Sequence, residues 1–106
     1  MPGNEGRVKL DINNDVFQEN WLSLDKAERG RVTDTLRKLR RLTWAQLYRD
    51  PGLKWEKVVS IRPPPGIDSL YSLRITLARR ATAYRDGVFL RFLTVEPDHD
   101  STYGKK

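Results

Sequence analysis

Arg74 sits in a stretch with a strand-like period, in which Tyr71, Leu73, Ile75 and Leu77 share one face and Ser72, Arg74 and Thr76 the other. Arg80 and Arg85 lie on the next stretch, and antiparallel pairing of the two would gather guanidinium groups on one face of a sheet. Like charges resist such clustering without an anion between them, so the chemistry implied is the holding of a phosphate. The competing assignment gives each arginine a carboxylate partner, with Glu56, Asp68 and Asp86 at hand. His99 follows the last apolar run in a polar segment, Glu96-Pro97-Asp98-His99-Asp100-Ser101-Thr102-Tyr103. A histidine, with an ordinary pKa of ~6.5, is the side chain best suited to moving a proton near neutrality, although a lone surface histidine usually has no such role. Tyr103, four residues on, offers a second proton donor or a platform on which a base stacks.

Much other chemistry is excluded. Zero cysteines remove disulfides, thiolate metal sites and cysteine nucleophiles, and a single histidine removes both a multi-histidine zinc site and a two-histidine ribonuclease arrangement. No metal and no cofactor is expected. Neither G-x-x-x-x-G-K-[ST] nor G-x-G-x-x-G occurs, and no G-x-S-x-G marks a serine hydrolase. Twenty Lys and Arg against fourteen Asp and Glu give a formal charge of +6, which favours a polyanionic partner such as RNA, or an acidic protein. No apolar run approaches the ~20 residues of a membrane span. The opening Met1-Pro2-Gly3-Asn4-Glu5-Gly6 lacks the apolar centre of a secretory signal, so the cytoplasm is the expected compartment.

These residues need a scaffold, and the periodicities describe one. Val8, Leu10 and Ile12 alternate with polar residues as a short first strand, and Val16 to Leu24 suits a helix capped by Asn14 or Asp15. Asp25, with Glu28 three residues later, starts a second helix running to about Leu42 with Val32, Leu36, Leu39 and Leu42 inward. Seven cations, Lys26, Arg29, Arg31, Arg37, Lys38, Arg40 and Arg41, stand there against Asp25, Glu28 and Asp34, a surplus that suits an anionic neighbour or merely a solvated face. Thr43 caps one or two further turns before Asp50-Pro51-Gly52 ends helical structure. Beyond it, strands are predicted over Trp55 to Ile61, Tyr71 to Leu77, Arg80 to Arg85 and Val88 to Val95, with Asp86-Gly87 as a hairpin turn. The expected organisation is a flexible start over residues 1–6 and a single domain over 7–104. Its expected fold is α+β, an N-terminal strand and two-helix hairpin packed on a twisted antiparallel sheet.

The Leu70-Tyr71-Ser72-Leu73-Arg74-Ile75 strand, Arg79-Arg80-Ala81, Arg85-Asp86-Gly87 and the closing His99-Asp100-Ser101-Thr102-Tyr103, in this order, resemble the RelE/ParE superfamily of bacterial toxin–antitoxin toxins. The resemblance covers roughly residues 7 to 104, and Asp50-Pro51-Gly52-Leu53-Lys54-Trp55-Glu56 is similar to a RelE-like branch of translational repressors. It implies a toxin that enters the ribosomal A site and cleaves messenger RNA by attack of a 2′-hydroxyl on its neighbouring phosphate, neutralised by a cognate antitoxin. Arg74 and Arg80 match the paired arginines of YoeB-like members and would clamp the phosphate. His99 matches the C-terminal histidine of YafQ-like members, and Tyr103 falls where such toxins carry an aromatic. Glu56 matches a carboxylate base of some members, so that the resemblance pairs His99 with Tyr103, Asp100 or Glu56 for proton transfer. Arg29, Arg37, Lys38, Arg41, Lys54 and Arg79 are the candidates for holding RNA or the ribosome. The ParE branch shares the fold and inhibits DNA gyrase without a nuclease site, which leaves a non-catalytic binding module as the alternative.

Overall fold

The structure, a computed structural model, describes residues 6–97. It is an α+β fold in which three helices cover one face of a five-stranded mixed sheet. The elements run β1 (Lys9–Asp11), α1 (Asp15–Leu22), α2 (Lys26–Arg40), α3 (Trp44–Arg49), β2 (Glu56–Val58), β3 (Leu70–Thr76), β4 (Arg79–Asp86) and β5 (Phe89–Pro97), with sheet order β1-β5-β4-β3-β2. Among the described residues, no helix is long and apolar enough to cross a membrane.

The helix starts follow their capping residues. Asn14 accepts a hydrogen bond from the Phe17 amide, Asp25 accepts one from the Glu28 amide, and Thr43 with Gln46 forms a reciprocal capping box. The further turns after Thr43 make a third helix of their own, and α2 stops at Arg40 rather than at Leu42. Its inward stripe, Val32, Leu36 and Leu39, meets the sheet residues Leu73, Ile75, Ala81, Ala83, Leu90, Phe92 and Val95 in the core. Phe17 of α1 is fully buried, its ring 4.9 Å from that of Phe92.

The sheet is not wholly antiparallel as expected, because β1 lies parallel to β5, with Leu10 opposite Leu90 and Asp11 opposite Arg91. Alternation along residues 8–12 fixes which side chains face inward but carries no information about the direction of the neighbouring strand. The second difference is at Leu77, placed inward by its period yet 87% exposed. A register shift at Ile75 ends the alternation, Thr76 also turns inward, and Leu77-Ala78 becomes the two-residue connection closed by the Thr76–Arg79 pair. A second shift leaves Leu93 outside the β4–β5 pairing, so that Phe92 and Val95 both reach the core. β2 is shorter than the expected Trp55 to Ile61. The β4–β5 hairpin turns on Gly87-Val88, one residue later than Asp86-Gly87, with Asp86 opposite Phe89 and Gly87 at φ 63.

Candidate functional site

On the face away from the helices, cross-strand partners share an orientation and build two polar rungs. One joins Arg74, Arg80 and Glu96; the other joins Glu56, Ser72, Thr82 and Thr94. Arg74 and Arg80 are therefore directly opposite one another, whereas Arg85, which the sequence reading gathered on the same face, lies on the helix side against Tyr48 and Trp44.

Arg80 is held rather than free. Its Nη2 donates to Ser72 Oγ at 2.8 Å and to the Lys54 carbonyl at 3.0 Å, and Glu56 lies 3.7 Å away. The Arg74 amide donates to the Leu53 carbonyl at 2.6 Å, and its Nη1 donates to the Leu77 carbonyl at 3.1 Å. Lys54 adopts φ 49, a left-handed conformation that costs a residue with a Cβ about 1–2 kcal/mol. Strain is thus stored between the two carbonyls that address Arg74 and Arg80. Asp50 braces the preceding turn by accepting from the Gly52 and Leu53 amides, and Lys38 grips its other oxygen at 2.8 Å. The hydrogen bond from Lys38, aided by those two amides, holds the Asp50 carboxyl below the usual aspartate range despite partial burial.

Arg80 forms part of the floor of a cleft of about 310 Å³. Ser72 and Thr82 complete the floor; Val58, Ser60 and Ile61 supply one wall, and Glu96 and Pro97 the other. A smaller recess of about 190 Å³ brings Lys38 beside Arg74. An apolar wall over a cationic, hydroxyl-rich floor suits a ligand with a flat or carbon-rich part joined to an oxyanion.

The remaining predicted residues divide sharply. Arg79 is turned to the helix side, where its Nε donates to Glu28 at 3.1 Å, away from Arg74 and Arg80. Arg29 donates to the Leu24 carbonyl at 2.6 Å, a helix-entry contact. Arg37 and Arg41 are exposed on and just beyond α2, and Lys54 is exposed beside the cleft. His99, Asp100 and Tyr103 lie outside the described residues. Arg85 does not take the carboxylate partner expected for it: its Nη1 donates to the Tyr48 hydroxyl at 2.8 Å, its Nε to the Gly87 carbonyl at 2.7 Å, and its guanidinium stacks 4.5 Å from the Trp44 ring centre. Asp86 instead engages Arg91, which also pairs with Asp11. Arg85 borders a larger cleft, about 720 Å³, lined by Tyr48, Tyr71, Tyr84 and the 65–69 loop; it lies apart from the paired arginines.

Glu96 and Ser72 were not singled out by sequence reasoning. For Ser72 the signal was the same alternation that marks Arg74, two residues earlier on β3; for Glu96, on β5, the register shift at Leu93 obscures it. No cluster of three or more histidine, cysteine, aspartate or glutamate residues able to hold a metal occurs among the described residues. No family model, curated protein or solved structure matches the chain.

Proposed function

We propose that the chain is a RelE-like toxin of a toxin–antitoxin pair, a ribosome-dependent endoribonuclease that inhibits translation in the cytoplasm. A 2′-hydroxyl of the message attacks the adjacent phosphate, leaving a 2′,3′-cyclic phosphate and a free 5′-hydroxyl. The observation that carries this reading is the direct opposition of Arg74 and Arg80 on an open sheet face. Two arginines at paired positions on one face offer two cations to the non-bridging oxygens of a single phosphodiester and to the charge that develops on it. The chemistry of RNA supplies its own nucleophile, so neither metal nor cofactor is needed. His99, Asp100 and Tyr103 follow Pro97, a wall residue of the cleft, by two, three and six residues, and supply proton transfer and base stacking in this reading. An antitoxin with an acidic or amphipathic segment would neutralise the toxin by covering the cleft or the helices.

Induced expression with transcript-end mapping tests the proposal. Translated messages are expected to be cut at codon-defined positions by the wild type, and both Arg80→Ala and His99→Ala to relieve growth arrest while remaining folded. Arrest without cuts would refute nuclease action. The exposed surplus of Arg37 and Arg40 on α2 and Arg41 just beyond it favours one second reading, a non-catalytic inhibitor of DNA gyrase or another target, which predicts DNA damage without transcript cleavage.

A further inference from the structure

The geometry points to Glu96 as the catalytic proton acceptor for the 2′-hydroxyl, an inference that rests on the ribonuclease reading above. Glu96 projects from β5 on the rung of Arg74 and Arg80 and forms one wall of the cleft. Its carboxylate is fixed from one side only. The Thr94 hydroxyl donates to Oε2 at 2.9 Å and the Thr82 hydroxyl to the same oxygen at 3.4 Å. Oε1 accepts no hydrogen bond from a described residue, which leaves an oriented acceptor exposed at the cleft.

The other carboxylate of this face suits the task less well. Glu56 lies against Arg80 itself, at 3.7 Å, where a bound phosphate would stand, and a carboxylate there repels the non-bridging oxygens. Glu96, across the strand pair from Arg80, is instead held by two hydroxyls, which orient the carboxylate without contributing a charge. The step balances without a further reagent except water. Glu96 Oε1 takes the 2′-hydroxyl proton as the 2′-oxygen bonds to phosphorus; the P–O5′ bond breaks; the 5′-oxygen takes the proton of the acid that the ribonuclease reading assigns to His99, and water carries the proton from Glu96 back to that acid.

The test uses the purified full chain with ribosomes halted on a defined message. Cleavage is timed on the natural message, and binding is measured to the same complex carrying a 2′-deoxy nucleotide at the cut position. Glu96→Gln keeps the size and an oxygen for the threonines, so it is expected to cut about a hundredfold or more slowly while binding within about threefold of wild type. Glu96→Asp, which retains a carboxylate on a shorter stem, is expected to fall between the two. Wild-type cutting with unimpaired Glu96→Gln overturns this inference alone. Parallel loss of binding and cutting also overturns it, by making Glu96 a residue that holds RNA. If the wild type does not cut, the ribonuclease reading fails and this inference with it.

Discussion

Replacing Glu28 with Gln is expected to loosen the turn that presents Arg80, in a pH-dependent manner. Glu28 is a buried residue of α2 beneath the β3–β4 connection. Its Oε2 accepts from Thr76 Oγ1 at 2.9 Å and from Arg79 Nε at 3.1 Å, while Oε1 accepts from Arg31 Nη1 at 3.0 Å. The Arg31 side chain is 64% exposed, so its ion pair contributes little; the Arg79 side chain, 28% exposed, carries most of the charge contribution. A hydrogen bond to a charged group contributes about 1.5–3 kcal/mol, and Gln cannot satisfy Arg79 and Arg31 together without turning a donor toward one of them. The expected loss is therefore about 2 kcal/mol at neutral pH. Burial pushes the Glu28 carboxyl up, but hydrogen bonds from Thr76 and Arg31 and the charges of Arg79 and Arg31 outweigh it and hold the value below the usual glutamate range. A depressed folded-state value means that the stabilisation is fully present above the unfolded value of about 4.3 and is lost as pH falls through the folded one. Urea denaturation followed by tryptophan fluorescence at pH 7 and pH 3 measures this. The gap between wild type and Glu28→Gln should be wide at the first and narrower at the second. An equal gap at both pH values, or none at pH 7, would refute the assignment of Glu28 as the charged clamp of this turn.

Two further substitutions probe the cleft and the hairpin beside it. Glu56→Gln removes the carboxylate 3.7 Å from Arg80, an exposed pair of about 0.5–1 kcal/mol, so affinity for inorganic phosphate or a short RNA should rise about two- to fivefold by calorimetry; weaker binding would show that Glu56 helps to hold the ligand. Gly87 has φ 63 with no atom within 4 Å of a built Cβ, so Gly87→Ala has a backbone cost only, about 1 kcal/mol. That should lower Tm by about 4–8 °C, and an unchanged Tm would contradict the turn geometry.

The helix caps and the inward stripe of α2 were legible because each depends on residues a few positions apart. Asn14, Asp25 and Thr43 act on amides three residues away. The antiparallel pairing of the strands that carry Arg74 and Arg80 was legible from their short connection, but the direct opposition of the two residues was not: strands over 71–77 and 80–85 would set Leu77 opposite Arg80, and the shift at Ile75 with the turn at Leu77-Ala78 brings Arg74 there instead. What escaped notice depends on long-range placement. The direction of β1 is set by a partner eighty residues away, as in the Asp11–Arg91 pair. Leu77 is exposed because the register shift at Ile75 ends the alternation, with the Ile75 carbonyl taken by the Thr35 hydroxyl from α2 at 2.6 Å. Arg79 looked like a surface cation because its partner, Glu28, is fifty-one residues earlier in the chain. The left-handed turn at Lys54 carries no composition signal at all, since lysine is an unusual choice there.

These long-range contacts also decide which cations remain for a ligand. Arg79, Lys38, Arg29 and Arg91 are committed to Glu28, Asp50, the Leu24 carbonyl, and Asp11 with Asp86, so much of the positive surplus in the composition serves as clamps between elements. Arg80, like Arg29 and Arg85, is held by neutral acceptors, here the Ser72 hydroxyl and the Lys54 carbonyl, but it also lines the cleft, and its carboxylate partner is the most distant of the ion pairs described. Neutral contacts fix the plane of a guanidinium and leave its charge in place, and a distant carboxylate cancels less of that charge than a close one. The left-handed residue Lys54 lies between the Leu53 carbonyl, which accepts from the Arg74 amide, and its own carbonyl, which accepts from Arg80, so its conformational cost is offset by contacts to both strands.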